Sequence, residues 1–220
     1  MSSAASPMLL IGGWTAAAML QPPSFSPVAD TVSSLAAPGA TDRWVMTLVF
    51  LTVGVCDVVT GAALRPAAPA GRLILIGAGV AGTLVAANPE HTGSVAHAFW
   101  ASVGFAGLAA WPAGAWRGGP SVPWGLRPAV SFAVVAVQLV LLAWFVAELV
   151  TGAGQAGLAE RIAGAAQAIW PLVVVVSCRS RPARGTIRWV RMSRPVGWSR
   201  DGPAGRVRCS AGGQLPAPAA

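Results

Sequence analysis

The residues in this chain that could do chemistry are few and gathered. Asp30, Thr31, Ser33 and Ser34 stand together, Glu90, His91 and His97 form a second group, and Arg161 follows Glu160. Imidazole, carboxylate and hydroxyl groups in one place could ligate a metal or move a proton. A zinc site usually shows histidines at i and i+4 and a third nitrogen or sulfur ligand. The chain has 2 histidines, and they lie six positions apart. No metal and no cofactor are therefore expected. The plainest reading is a hydrogen-bonded cap that orders loop and helix ends. A binding reading makes Asp30, Ser33, Ser34, Glu90, His97 and Arg161 a polar face that recognises a lipid headgroup or a partner. A catalytic alternative is a lipid hydrolase, with His97 as general base, Ser33 or Ser34 as nucleophile and Arg161 as anion stabiliser. It requires the base within hydrogen-bond reach of the hydroxyl, or one water away.

Three other features invite a function. Asp57 is a lone acid inside an apolar run. Such acids are costly in a bilayer and often functional, but a pairing with Arg65, Arg72 or Arg179 by snorkelling is the simpler expectation. Glu148 and Arg161 flank a short connection and are expected to form an ion pair. The run from Leu73 to Gly82, with Gly77, Gly79 and Gly82, resembles a dinucleotide-binding turn. That turn needs an acid about 20 residues on, and Glu90 comes after eight. The glycines suit close helix packing better.

The elements that must position these residues follow from composition. The chain has 220 residues, of which 55% are hydrophobic and 10% charged. A soluble domain carries about 25% charged residues, so a water-facing globule is excluded and an integral membrane protein remains. The expected fold is all-α, a bundle of six transmembrane helices, because backbone groups in hydrocarbon must bond within their own segment. The spans are read at 8–20, 43–64, 72–90, 97–116, 127–150 and 158–179, with Gly/Pro-rich connections between them. The first span lacks the basic flank of a signal peptide and is read as retained. With a cytoplasmic N-terminus, thirteen arginines lie inside and two, Arg43 and Arg161, outside. This puts both termini in the cytoplasm and the bundle in the plasma membrane. Trp44 and Trp100, and Trp116 and Trp124, would mark the two interfaces. A small-solute transporter, which needs polar groups meeting at mid-membrane, could draw on Asp57, Gln138 and Gln167.

Residues 1–178 form the expected transmembrane domain, and 179–220 a basic, largely disordered cytoplasmic tail. The tail holds nine arginines and one acid. Arg184, Arg188 and Arg191 recur at helical spacing, which suits anionic lipid; nucleic acid is not expected as a partner. Cys56, Cys178 and Cys209 have no paired spacing, so no disulfide is expected.

Three stretches carry a family resemblance: Phe25 to Ala36; Asn88-Pro89-Glu90 with Gly93, Ser94 and His97; and Gly157 to Arg161 with Gln167 and Trp170-Pro171. Over about residues 5–178 the chain resembles the membrane family named domain of unknown function 998. That resemblance implies a multi-span bacterial membrane protein and implies no particular activity.

Overall fold

A computed structural model describes residues 1–91 and 94–180. The expectations for the basic tail, for Cys209 and for Gly93 fall outside these residues. The described fold is all-α. Six helices follow one another: α1 (Ser2–Met19), α2 (Trp44–Ala63), α3 (Pro69–Ala87), α4 (Val95–Ala115), α5 (Pro128–Thr151) and α6 (Ala156–Arg179), with short 3₁₀ turns at Ser33–Ala36 and Trp124–Leu126. The boundaries have local causes. Pro69 and Pro128 occupy first-turn positions, where a missing N–H costs nothing. Ser94 caps α4 by accepting the His97 backbone N–H at 3.3 Å. Gly152 ends α5 in the left-handed region with φ of 65°.

Each helix packs on the next, and α6 closes back onto α1, so the six form a ring in chain order. The seam between α2 and α3 is glycine-made. A Cβ placed on Gly79 would stand 2.6 Å from the Gly54 carbonyl oxygen, and one on Gly54 would meet Gly79 equally closely. The dinucleotide-like run therefore lies within α3, with Gly79 spent on contact with α2.

Four helices, α2, α3, α5 and α6, are long and apolar enough to cross a membrane. The other two are diluted by Ser2, Ser3, Ser6 and Gly12 in α1, and by His97, Trp100, Gly104 and Trp111 in α4. Much of the exposed surface is aliphatic: Val137, Val140, Leu149 and Val150 of α5 are all more than half exposed. Such a face suits lipid rather than water. The bundle has two unlike ends. The connections α1–α2, α3–α4 and α5–α6, with the helix ends they join, carry Asp30, Asp42, Glu90, Glu148 and Glu160. The opposite end carries Arg65, Arg72, Arg117, Arg127 and Arg179. These are called the acidic end and the arginine end below.

Asp57 takes none of the expected arginine partners. Ser6 of α1 donates to its Oδ1 at 3.3 Å. Arg72 instead donates to the carbonyl oxygens of Gly61 at 3.0 Å and Ala62 at 2.6 Å, closing the last turn of α2.

Candidate functional site

At the acidic end, the stretch 25–36 lies across the start of α6. Leu158 N–H donates to the Val28 carbonyl at 2.9 Å and Gly157 N–H to Ala29 at 3.3 Å. Any side chain at 157 would run into the Asp30 carbonyl oxygen. Glycine is therefore needed at this crossing for close approach.

Two neighbouring side chains of α6 then hold the loop. Arg161 Nη1 donates to the carbonyl oxygens of Pro27 at 2.6 Å, Asp30 at 2.9 Å and its own Gly157 at 2.9 Å. Its Nη2 is buried and has no partner among the described residues. Glu160 accepts from the Val32 N–H at 2.6 Å and from the Ser33 hydroxyl at 3.2 Å. A carboxylate bonded to a buried N–H and a hydroxyl is a strong anchor.

The loop also closes on itself and on its neighbour. Asp30 Oδ2 accepts the Ser26 N–H at 2.7 Å. The Ser34 hydroxyl donates to the Thr31 carbonyl at 2.7 Å, and the Thr31 hydroxyl reaches Glu90 Oε2 at 3.3 Å. His97 is buried, and its Nδ1 lies 2.8 Å from the Asn88 carbonyl oxygen. A carbonyl can only accept, so Nδ1 carries a hydrogen and donates it.

These contacts border a groove of about 410 Å³. Thr31, Ser33, Glu90, His97 and Glu160 line its polar end, and Phe105 of α4 with Leu142, Phe145 and Val146 of α5 line its apolar flank. Of the six residues expected to bind, Ser33, Glu90 and His97 line this groove. Asp30, Ser34 and Arg161 do not; they build the loop beside it. Thr31 and Glu160 line the groove without having been expected there. For Glu160, the clue in the sequence is a carboxylate near a helix start, directly before Arg161.

The expected ion pair between Glu148 and Arg161 is not formed. Glu148 accepts from Trp144 Nε1 at 3.2 Å and from the Gln155 N–H at 3.0 Å, which stiffens the α5–α6 connection. Arg161 is occupied by the loop carbonyls. Among the described residues no cluster of three or more His, Cys, Asp or Glu side chains could hold a metal.

A ring of helices with lipid-compatible flanks and a polar groove at one end defines a membrane-protein class rather than a reaction. Residues 3–177 match the family described as "Protein of unknown function (DUF998)", and the chain belongs to that family. No curated protein and no solved structure matches it.

Proposed function

We propose that the chain is a six-span plasma-membrane protein whose groove at the acidic end recognises the headgroup of a membrane amphiphile. The carrying observation is the make-up of the groove: Thr31, Ser33, Glu90, His97 and Glu160 at one end, and a flank along α4 and α5 that is apolar but for Ser102. An amphiphile has the same division. Its headgroup would hydrogen-bond with Glu90, His97 and the hydroxyls, and its chain would lie between the two helices.

Six spans are supported by the two helices whose composition is weakest. The α1 helix accompanies α2 from Ser2, bonded to Thr60 at 2.9 Å, to Gln21, bonded to the Thr41 carbonyl at 2.9 Å. The α4 helix accompanies α3 from His97 beside Asn88 to Ala115, whose carbonyl accepts the Ala68 N–H at 3.0 Å. Helices that share both ends with a membrane-crossing neighbour cross the same thickness. The arginine end is the cytoplasmic one in this reading, with both termini on that side. The tail beyond α6 would then lie against the anionic inner leaflet.

The hydrolase alternative draws no support from these contacts. His97 bonds Asn88, Ser33 bonds Glu160 and Ser34 bonds Thr31.

Native mass spectrometry of the full chain with co-purified phospholipid tests the groove. Leu142→Trp, which fills the apolar flank, and the pair Glu90→Gln with Ser33→Ala should each reduce retained lipid several-fold. Undiminished retention in all of these variants would refute the assignment.

A further inference from the structure

The helix ring also holds a partly open cavity of about 110 Å³, which shares Ser33, Ala101, Phe105 and Glu160 with the groove. Helices α1, α2, α3, α4 and α6 supply its wall, which is apolar apart from a few groups. Two of those groups are incompletely partnered. Asp57 is buried, and among the described residues its side chain is hydrogen-bonded by Ser6 alone, through Oδ1. Gln167 is 1% exposed; its Nε2 donates to the Phe105 carbonyl at 3.1 Å, and its Oε1 has no partner among the described residues. Asp57 lies thirteen residues beyond Trp44 and Gln167 eleven beyond Ala156. At 1.5 Å per residue, both stand about 17–20 Å from the acidic end. They therefore meet the cavity at similar depth, Gln167 at the middle of α6 and Asp57 about two-thirds of the way along α2. Neither Arg nor His lines it.

A buried carboxylate and a buried amide oxygen, each short of a donor, are costly unless something supplies hydrogens. Calcium or magnesium would want about six oxygens or more, and this wall is mostly hydrocarbon. An alkylammonium fits better. Its head carries three donors, like that of lysine, and aromatic rings such as Trp14, Phe50 and Phe105 of the wall attract cations. Its tail needs apolar space, which Leu10, Leu108 and Ala168 of the wall supply. We propose that the cavity binds a small primary alkylammonium, with the ammonium on Asp57 and the Gln167 carbonyl oxygen and the chain against Leu10, Leu108 and Ala168.

The test uses the purified full chain in detergent and reads its apparent melting temperature. Butylammonium chloride should raise it saturably, while 1-butanol and sodium chloride at the same concentrations should not. Asp57→Asn should abolish the response, and Gln167→Leu should weaken it about tenfold, the loss expected for one hydrogen bond to a charged group. Glu90→Gln, at a residue that does not line the cavity, should respond like the wild type. An equal response to butanol would mean that the cavity is filled without regard to charge, and would overturn the proposal. So would a response to sodium alone, an unchanged response in Asp57→Asn, or none in the wild type. Should Asp57→Asn fail to fold, Gln167→Leu decides, and an undiminished response there is equally fatal.

Discussion

Glu160 and Arg161 are neighbours in sequence that grip one loop by opposite chemistry, the carboxylate taking donors and the guanidinium taking carbonyls. Removing the carboxylate strands the Val32 N–H in a buried position, at a cost of about 1–3 kcal/mol. Glu160→Ala should therefore lower the melting temperature in detergent. Glu160→Gln keeps an acceptor for Val32, and Ser33 can reverse its bond, so its loss should be clearly smaller. Equal losses would show that the loop is held without these bonds. The sequence made Ser33, Glu90 and His97 legible as polar groups near helix ends. It could not show that Arg161 turns towards backbone carbonyls, because those acceptors come from residues more than 130 positions away. Asp57 was misjudged for a similar reason. Its partner Ser6 is 51 positions distant and uncharged, so charge matching pointed to arginines instead.

At the scale of the helices, Gly77 and Gly79 belong to one glycine-rich run but face different surroundings. A Cβ on Gly77 would meet nothing within 4 Å, whereas one on Gly79 would strike the Gly54 carbonyl oxygen and the Val58 backbone of α2. Gly77→Ala should leave stability unchanged or raise it by up to about 1 kcal/mol through helix propensity. Gly79→Ala should force α2 and α3 apart and cost about 1–3 kcal/mol, as overpacking does. Thermal unfolding of the two variants separates a packing seam from a nucleotide turn, which would need both glycines. The span reading placed most helix ends within a few residues because prolines and glycines mark them. It missed the start of α1, expected at Met8 and found at Ser2. Ser2 and Ser6 look like loop residues to a hydropathy count, yet their hydroxyls are used against Thr60 and Asp57 of α2.

For the whole molecule, the two ends differ in charge more sharply than the chain's sum suggests. The arginine end is tied together as well as charged. Arg72 caps α2, Arg117 Nη2 donates to the Ala67 carbonyl at 3.3 Å, and the Arg117 N–H bonds Leu126 at 2.9 Å. Translocating that end would carry Arg65, Arg72, Arg117 and Arg127 across the bilayer, against the bias of short loops. Single cysteines in a background without Cys56, Cys178 and Cys209 put this to the test. Thr41→Cys lies in the α1–α2 connection and Ser121→Cys in the α4–α5 connection, and both positions are exposed. In intact cells an impermeant maleimide should label Thr41→Cys readily, and Ser121→Cys only after permeabilisation. The reverse pattern would invert the topology. Labelling of both from outside would mean that an odd number of the helices between them fails to cross. The weakest by composition there is α4, yet its two ends are bonded to the two ends of α3. A failure at α4 would therefore break contacts at one end or the other, and opposite labelling is the outcome expected of the six-span reading.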